Sequence, residues 1–496
     1  MGHSGSGEGA TVLRRRATAL AAVWLAAADA TTTLGRERAI LGLLGVGGSG
    51  PAGRPLVLEA ADRYFGADPG RLAHGIALPF AACLAVDGLT PVALATAMAE
   101  GRIDLGATAD TLRDPATRAT AVRTAGDLTA TTLARMDANR TARAELRTIL
   151  GEPPRPLLGA AVSADSVARA SGAAASVTDA GADLVVLAPP GVDPEPAGEP
   201  AGEPAGVSAQ SVSGLALLRS QLDETAAVRG RYVRLGVEID PLSADQAVAA
   251  GLERADLAVA DPMSVIAAGL ATAGHAIADH VFACRVLAHA GMDLLVPAGP
   301  LVVVQDLQSG VASSPAIRSG RGLAIQMLAV ALAEGAGVAR QRITVAGLPS
   351  WLADERGATG HVVAELAVRR AVFAGCDVAL VEPDGSADAV TAWRFLATVL
   401  VADGTVDMVI ARRADELAGL RDGLAMAAGV RATRGAGAMT ALAGAYCDAV
   451  LEAAGRELDL LEAGGWAAII GDLLETAAGE PRAGVAFRTD GFNPLD

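Results

Sequence analysis

The stretch Arg231-Tyr-Val-Arg-Leu-Gly-Val-Glu-Ile-Asp240, followed by a helical interval and then by Ala255-Asp-Leu-Ala-Val-Ala-Asp261, decides the fold. Each half is a short apolar run of β-type composition that ends in carboxylates, and the interval between them has helix composition. The pattern therefore predicts a strand, helix, strand unit.

Apolar runs of strand length recur along the chain, separated by Ala-rich segments long enough to cross back over a sheet. Eight parallel strands, each followed by a helix, predict an α/β fold of the (β/α)8 TIM-barrel type. An open doubly wound sheet is the competing arrangement. The eight runs are 157–162, 183–188, 232–237, 256–260, 292–296, 343–346, 377–381 and 406–410.

Helical patterns flank the predicted barrel on both sides. We expect a helical N-terminal domain over residues 1–150, the barrel over 151–415, and C-terminal helices with an extended tail over 416–496. Residues 1–10 are rich in Gly and Ser, which predicts disorder. The basic residues 14–16 before an apolar run imitate a secretory signal, but the run continues into a capped amphipathic helix, which favours a helix.

Composition excludes several classes of function. The 496-residue chain is 51% hydrophobic but only 3% aromatic, so Ala, Val and Leu must fill its core. Its net charge of -16 argues against nucleic-acid binding, which needs clustered Lys and Arg. No apolar segment reaches the roughly 20 residues that span a bilayer, so we expect no membrane contact. Four scattered cysteines without paired metal spacing fit a reduced cytoplasm.

The sequence contains no lysine. Arg and Ala are so abundant that a general substitution of Arg for Lys explains much of this absence. The chemical consequence holds in either case, because this chain cannot form a Schiff base through a lysine of its own.

Several segments together resemble the TIM-barrel (alpha) subunit of D-lysine 5,6-aminomutase and the related ornithine 4,5-aminomutase. The similarity is scattered along most of the chain rather than concentrated in one signature. It lies in Thr31-Thr-Thr-Leu-Gly-Arg-Glu-Arg-Ala-Ile-Leu-Gly-Leu-Leu-Gly45, Leu89-Thr-Pro-Val-Ala-Leu-Ala-Thr-Ala-Met-Ala-Glu-Gly-Arg-Ile-Asp-Leu105, Gly181-Ala-Asp-Leu-Val-Val, Arg231-Tyr-Val-Arg-Leu, Glu253-Arg-Ala-Asp, Asp279 with Phe282, and Asn493-Pro494.

The resemblance implies a radical aminomutase, an isomerase, that works as a hetero-oligomer on a lysine- or ornithine-like amino acid. In that family adenosylcobalamin supplies the radical and pyridoxal 5'-phosphate carries the migrating amine. A smaller cobalamin-binding (beta) subunit supplies both the Asp-x-His-x-x-Gly motif and the lysine for pyridoxal phosphate. This chain has neither the motif nor a lysine, as expected of a barrel subunit.

In the cofactor pocket the sequence of this chain differs from the pattern of the family. Where the family has an Arg-Thr-Thr-Gly-x-Ser segment after the second strand, this chain has Ala188-Pro-Pro-Gly-Val-Asp193 and a Pro/Gly/Glu repeat. Glu238 stands where the family presents a tyrosine to the pyridine ring, and residues 267–274 replace an arginine and polar cluster. An alternative function follows: a non-catalytic barrel that binds the cobalamin-binding partner but has lost the pyridoxal phosphate site.

Candidate site residues lie at the predicted carboxyl-terminal ends of strands, where barrel side chains converge. Asp261, Glu238 and Asp240 are the catalytic candidates, because paired carboxylates can orient an amine or transfer a proton. The competing interpretation of Asp240 and Asp261, each followed by Pro, is a turn or helix entry. The cofactor-binding candidates are Arg234, Ser208, Arg412, Arg413 and Glu382.

Two further interpretations of these residues stay open. Arg412 and Arg413 after the eighth strand can hold a phosphate or a cobalamin side chain, or can be solvent-facing arginines that open a helix. A metal-dependent lyase that uses Asp240, Asp261 and Glu382 is the weaker alternative, because sequence alone does not fix ligand geometry. His275, His280 and His289 do not share one helical face, so we expect no metal site made of them.

Overall fold

The structure is a computed structural model. It describes residues 4–163, 166–188, 212–260, 262, 273–298, 314–347, 358–382, 387–402, 404, 406–430, 444–464, 485–487 and 492–495.

Residues 4–150 form helices and one short strand. Helix α1 begins at Ser4, so the prediction of disorder over residues 1–10 is wrong for 4–10; the buried residues Ala10 and Leu13 anchor this helix. The elements are α1 (Ser4–Asp29), β1 (Thr31–Thr33), α2 (Leu34–Leu43), α3 (Leu56–Ala67), a 3-10 turn (Pro69–His74), α4 (Ala77–Asp87), α5 (Pro91–Ala99), α6 (Gly106–Thr111) and α7 (Pro115–Leu150).

Eight parallel strands close into a barrel in chain order, and the last pairs with the first. The predicted TIM barrel is confirmed, since an open sheet has no such closing pair. All eight predicted strands are present within about two residues of their predicted ends. They are β2 (Leu157–Ser163), β3 (Leu184–Ala188), β4 (Arg234–Ile239), β5 (Leu257–Ala260), β6 (Asp293–Val296), β7 (Ile343–Ala346), β8 (Asp377–Val381) and β9 (Met408–Ala411).

Helices follow the strands and form the outer layer. A further helix, α16, and a short strand, β10, lie beyond the barrel. The outer helices are α8 (Val167–Asp179), α9 (Val212–Arg229), α10 (Ala244–Leu252), α11 (Ala273–Ala290), α12 (Pro315–Gly335), α13 (Ala358–Val372), α14 (Ala387–Ala402) and α15 (Ala414–Val430), with a 3-10 turn at Arg340–Arg342; α16 is Gly444–Gly464 and β10 is Val485–Phe487. None of the described helices is long and apolar enough to cross a membrane alone. Helices α4 and α5 reach the necessary length and apolar composition only together, as a pair bent by 110°.

Strand alternation separates the lumen of the barrel from the helix layer. Inward residues such as Leu184, Val186 and Ile410 form one apolar cluster inside the ring. Outward residues such as Val185 and Val237 belong to a second, larger cluster with the helices. On β4, the inward face therefore carries residues 234, 236 and 238, with 234 at the amino-terminal end and 238 at the carboxyl-terminal end.

The amino-terminal end of the barrel is held by the buried carboxylate of Asp256. Its oxygens accept hydrogen bonds from Arg147 at 2.7 Å, from the Tyr232 hydroxyl at 3.1 Å and from the Leu235 N–H at 2.8 Å. Burial alone would raise the pKa of Asp256, but the positive charges of Arg147 and Arg219 outweigh it and hold the pKa below its usual value. This cluster fastens α7 and α9 to the bottom of the ring.

The segment that begins Thr31-Thr-Thr-Leu-Gly is a joint between the N-terminal helices and the barrel. Thr33 caps α2 by accepting the Arg36 N–H at 3.0 Å, and its hydroxyl donates to buried Asp279 on α11. Strand β1 also pairs antiparallel with β10, a strand that the extended tail predicted from sequence did not specify. Residues 31–33 and 485–487, which are far apart in the sequence, thus pair with each other.

Gly35 permits the close approach at this joint. A Cβ at this position would lie 2.5 Å from the Leu242 carbonyl oxygen and against the Asp279 carboxylate. Backbone atoms cannot move aside as a flexible side chain can, so only glycine fits here.

We expect Gly35→Ala to lower the free energy of unfolding by about 1–3 kcal/mol, the usual effect of overpacking. Gly126→Ala in α7 is the matched control, because a Cβ there meets no atom within 4 Å, and it should raise stability by about 0.5–1 kcal/mol. Urea denaturation of both variants measures the difference. A Gly35→Ala protein as stable as the wild type would show that the joint does not need this contact.

Candidate functional site

Glu238 and Arg412 are two oppositely charged residues at the mouth, the carboxyl-terminal end of the ring. Glu238 is the inward residue before the end of β4, and Arg412 follows β9 directly with the same inward parity. Their charges interact, since Arg412 lowers the pKa of the Glu238 carboxyl electrostatically. Two predicted site residues from the third and eighth barrel strands therefore face one lumen.

Burial sets the protonation behaviour of Glu238. Loss of hydration raises the pKa of its carboxyl, the charge of Asp240 raises it further, and Arg412 opposes both; the net direction is upward. A half-buried carboxylate of this kind gains from a cationic partner that replaces its lost hydration. An ammonium group is such a partner.

Asp240 serves the turn into α10 rather than the lumen. It is exposed, its Oδ1 accepts the Leu242 N–H at 2.8 Å, and its own N–H donates to the Gln246 side chain at 2.8 Å. The turn interpretation considered from the sequence describes this residue. Asp240 acts on Glu238 only through its charge.

Glu382 fixes the backbone of Arg412 by a hydrogen bond. Its side chain is 3% exposed and accepts the Arg412 N–H at 2.6 Å, while Arg412 Nε donates to the Glu382 carbonyl oxygen at 3.3 Å. Strand parity points Val381 inward and Glu382 outward. Burial raises the pKa of Glu382, and the N–H bond partly offsets that rise. Its position is that of a residue that orients Arg412, not of a direct ligand in the lumen.

Arg413 faces solvent at the start of α15. It pairs with Glu416 at 2.9 Å and with Asp415 at 3.7 Å on the first turn of that helix. This is the helix-opening role that sequence analysis offered as the alternative to phosphate binding.

Arg234 lies at the opposite end of the barrel from Glu238. Its guanidinium bonds Glu152 at 2.9 Å and Asp293 at 3.2 Å at the amino-terminal end. Arg234, a cofactor-binding candidate from the sequence, therefore lies away from the mouth, at the end of the ring opposite Glu238. Asp261 and Ser208 lie outside the described residues.

The histidines of α11 do not form a common site. His280 is buried, with Cys284 Sγ at 3.5 Å, and burial lowers its pKa to about 4, so it stays neutral. His275 lies 3.4 Å from Asp279, whereas His289 lies 3.6 Å from Asp137. Across the ranges the structure describes, no group of three or more His, Cys, Asp or Glu is arranged to hold a metal ion.

Sequence reasoning missed a partly buried acid and a set of hydrogen-bonded polar groups near the mouth. One is Asp245 on the first turn of α10, where burial raises the pKa to about 6 against the opposing charge of Arg38. The other is a chain of hydrogen bonds that joins Gln326, Arg369, Glu365 and Tyr446. The four-residue spacing of Glu365 and Arg369, which places both on one helix face, was the available signal.

Comparison with known families identifies one match. Residues 8–299, more than half of the chain, match the family described as the D-lysine 5,6-aminomutase TIM-barrel domain of alpha subunit. The matched range runs from α1 to just beyond β6, so it contains Glu238 and ends before Arg412. No curated protein sequence matches the chain.

Solved structures similar to this chain include dihydropteroate synthases. One, a synthetase with a bound product, has a TM-score of 0.37 at 14% identity and covers 57% of this chain and 96% of its own. The enzyme of Xanthomonas albilineans with 4-aminobenzoic acid has a TM-score of 0.36 at 15% identity, covering 56% and 95%. The enzyme of Anaplasma phagocytophilum has a TM-score of 0.36 at 14% identity, covering 56% and 100%. Likeness at this level carries no argument about function.

We expect Glu238→Gln to raise the free energy of unfolding at pH 7. The raised folded-state pKa means that stability linked to Glu238 is fully present below its unfolded pKa and is lost as pH rises through the folded pKa. The neutral variant avoids that loss, so its advantage should shrink as pH falls toward 4.5. Urea denaturation at several pH values measures it.

Glu145→Gln, at an exposed position of α7, is the matched control and should change stability by less than about 0.5 kcal/mol at every pH. A Glu238→Gln protein that is less stable than the wild type at pH 7 would contradict the placement of Glu238 in a desolvated mouth.

Proposed function

The chain belongs to the family of the D-lysine 5,6-aminomutase alpha subunit, through its TIM-barrel domain, and from this we propose that it is the barrel subunit of an adenosylcobalamin-dependent aminomutase. Such an isomerase moves an amino group between neighbouring carbons of an amino acid. The family match over residues 8–299 is the observation that carries the proposal.

The charges at the mouth support an amino-acid substrate. Glu238 offers a partly desolvated carboxylate for an ammonium group, and Arg412 offers a guanidinium that can bind a carboxylate through two parallel hydrogen bonds. An amino acid with an amine far from its carboxylate complements both groups at once. Lysine and ornithine are substrates of that shape.

Glu238 is the feature of the described part of the mouth that fits pyridoxal phosphate. An acidic residue facing the pyridine nitrogen is a recurring partner of this cofactor, and Glu238 is an inward acid with a raised pKa. When bound, the cofactor supplies an imine linkage and an electron-accepting ring. Because the chain has no lysine, any lysine that anchors the cofactor belongs to the partner.

Cobalamin is assigned to the partner on similar grounds. The sequence contains no Asp-x-His-x-x-Gly segment, so this chain lacks the motif expected to bring a histidine to cobalt. In the proposed complex the barrel mouth closes over the reacting groups and keeps water away from a radical. The smaller cobalamin-binding subunit covers the mouth.

We expect the purified chain alone to give no turnover. Lysine or ornithine should be converted to its isomeric diamino acid when the chain is mixed with a small cobalamin-binding subunit, adenosylcobalamin and pyridoxal phosphate. Chromatographic separation of the isomers measures the product. The control replaces the cobalt-ligating histidine of the partner with alanine and should abolish turnover.

No product from any diamino acid in the complete mixture would contradict the proposed activity. The second candidate, a non-catalytic barrel that keeps the partner surface, is favoured by Ala188-Pro-Pro-Gly in place of a phosphate-binding segment. Titration of pyridoxal phosphate into the complex separates the two functions. An absorbance shift on imine formation supports the enzyme, and a complex that assembles without the shift supports the non-catalytic barrel.

A further inference from the structure

A chain of buried and partly buried hydrogen bonds connects helix α16 to the ends of two barrel strands. Gln326 on α12 lies at the inner end of this chain and is 1% exposed. Its Nε2 is within hydrogen-bond distance of three carbonyl oxygens, at 3.0 Å from Val296, 3.1 Å from Ala346 and 3.3 Å from Pro297. Val296 and Ala346 are the last residues of β6 and β7, so the Gln326 side chain contacts the ends of two neighbouring strands.

Arg369 on α13 bonds both Gln326 and the end of β7. Its Nε donates to Gln326 Oε1 at 3.0 Å and to the Ala346 carbonyl oxygen at 2.9 Å. The first of these bonds fixes which way the Gln326 amide faces, because only its oxygen can accept. Among the described residues Arg369 Nη2 has no hydrogen-bond partner.

Glu365 and Tyr446 extend the chain outward. Arg369 donates to Glu365, and neither side chain is exposed at all. The Tyr446 hydroxyl donates to Glu365 Oε1 at 2.9 Å, so Ser319 at 3.1 Å must be the donor to that same hydroxyl oxygen. The Tyr446 ring stacks on His361 with centroids 4.4 Å apart.

Stability alone does not explain this arrangement. An apolar pair of the same size is often as stable as a buried ion pair, because burying two charges removes their hydration. A buried chain of hydrogen bonds does specify geometry, since each bonded group accepts few alternative positions. The geometry specified here is where the polypeptide leaves β6 and β7.

Those exits lie beside the lumen. Ala298, two residues beyond β6, belongs to the apolar cluster inside the ring. Gly347, one residue beyond β7, donates its N–H to the Ala379 carbonyl oxygen of β8 at 2.7 Å. Helix α16 is itself seated tightly on α12, because a Cβ at Gly320 would lie 2.7 Å from the Val450 carbonyl oxygen.

We infer that Gln326 and Arg369 are positioning residues that fix where the chain leaves β6 and β7 at the mouth, and that Tyr446 ties this position to α16. The consequence for turnover rests on the proposed function. The consequence for the strand ends does not, so the two can be tested separately.

Two tyrosine variants make a matched test. Tyr446→Phe removes the bond to Glu365 and keeps the stacked ring, whereas Tyr232→Phe removes a comparable buried bond to Asp256 at the opposite end of the barrel. Amide hydrogen exchange of the full-length proteins, read by mass spectrometry, reports on residues 293–298 and 343–347. We expect about tenfold faster exchange of both segments in Tyr446→Phe and wild-type rates in Tyr232→Phe, at similar thermal stability of the two variants.

Wild-type exchange of both segments in Tyr446→Phe, or equal acceleration in Tyr232→Phe, would overturn the inference. In the reconstituted complex, Tyr446→Phe should lower kcat about tenfold with KM within about twofold, because a small displacement of positioned groups slows the reaction more than it weakens binding. Tyr232→Phe should leave both constants unchanged. Absence of turnover in the wild type would count against the proposed function and leave the exchange result to decide the positioning role.

If Tyr446→Phe does not fold, Gln326→Met provides the same test, because methionine has a similar length but neither the donor nor the acceptor. Rescue of wild-type exchange by Gln326→Glu, which restores only the acceptor for Arg369, would show that the Arg369 bond is sufficient. Unchanged exchange in Gln326→Met would overturn the inference.

Discussion

Closure of eight parallel strands into one ring is the constraint on which the structure depends. In a closed ring every second side chain must enter the same lumen, and all strands end at the same side. The chemistry of the two ends can therefore differ completely. At the amino-terminal end, Arg234 and Asp256 are committed to ion pairs that hold the barrel together, whereas at the carboxyl-terminal end Glu238 and Arg412 face a common space.

The eight strands were predictable because each is an apolar run of four to seven residues bounded by polar or Gly-containing segments. The predicted third barrel strand began at Tyr232, two residues before β4 starts. Tyr232 is apolar and buried because its ring packs against the guanidinium groups of Arg219 and Arg147, but it precedes the strand pairing. The pairing of β1 with β10 was not predictable, since three residues pair across about 450 residues of sequence. Helix α1 was misread at its start because its Gly/Ser composition hides the burial that tertiary contacts provide.

The candidate site was predictable only in part. Whether a predicted residue faces the lumen depends on which side of its strand it lies and on which end of the strand it occupies. Glu238 and Arg412 lie at strand ends, and the alternation of inward and outward side chains gives both positions inward parity. Arg234 shares the inward face with Glu238, but it is the first residue of the six-residue strand and Glu238 is the fifth, so the two lie at opposite ends of the ring. Glu382 is one residue beyond the inward Val381, so it turns toward the helix layer and bonds the backbone of Arg412. Gln326 is a polar residue among apolar neighbours on α12, and the spacing of Glu365 and Arg369 predicts their pairing; neither pattern reveals which carbonyl groups Gln326 and Arg369 reach.

The proposed pairing of Glu238 and Arg412 with the two ends of a diamino acid is tested most directly by substrate binding. Calorimetric titration of the reconstituted complex with ornithine or lysine measures the dissociation constant for the wild type, Glu238→Gln, Arg412→Gln and the double variant. We expect each single substitution to weaken binding by about thirtyfold, about 2 kcal/mol, because a charged group of the ligand loses its oppositely charged partner. Dissociation constants that stay at the wild-type value in both single variants would contradict the placement of the substrate in this mouth.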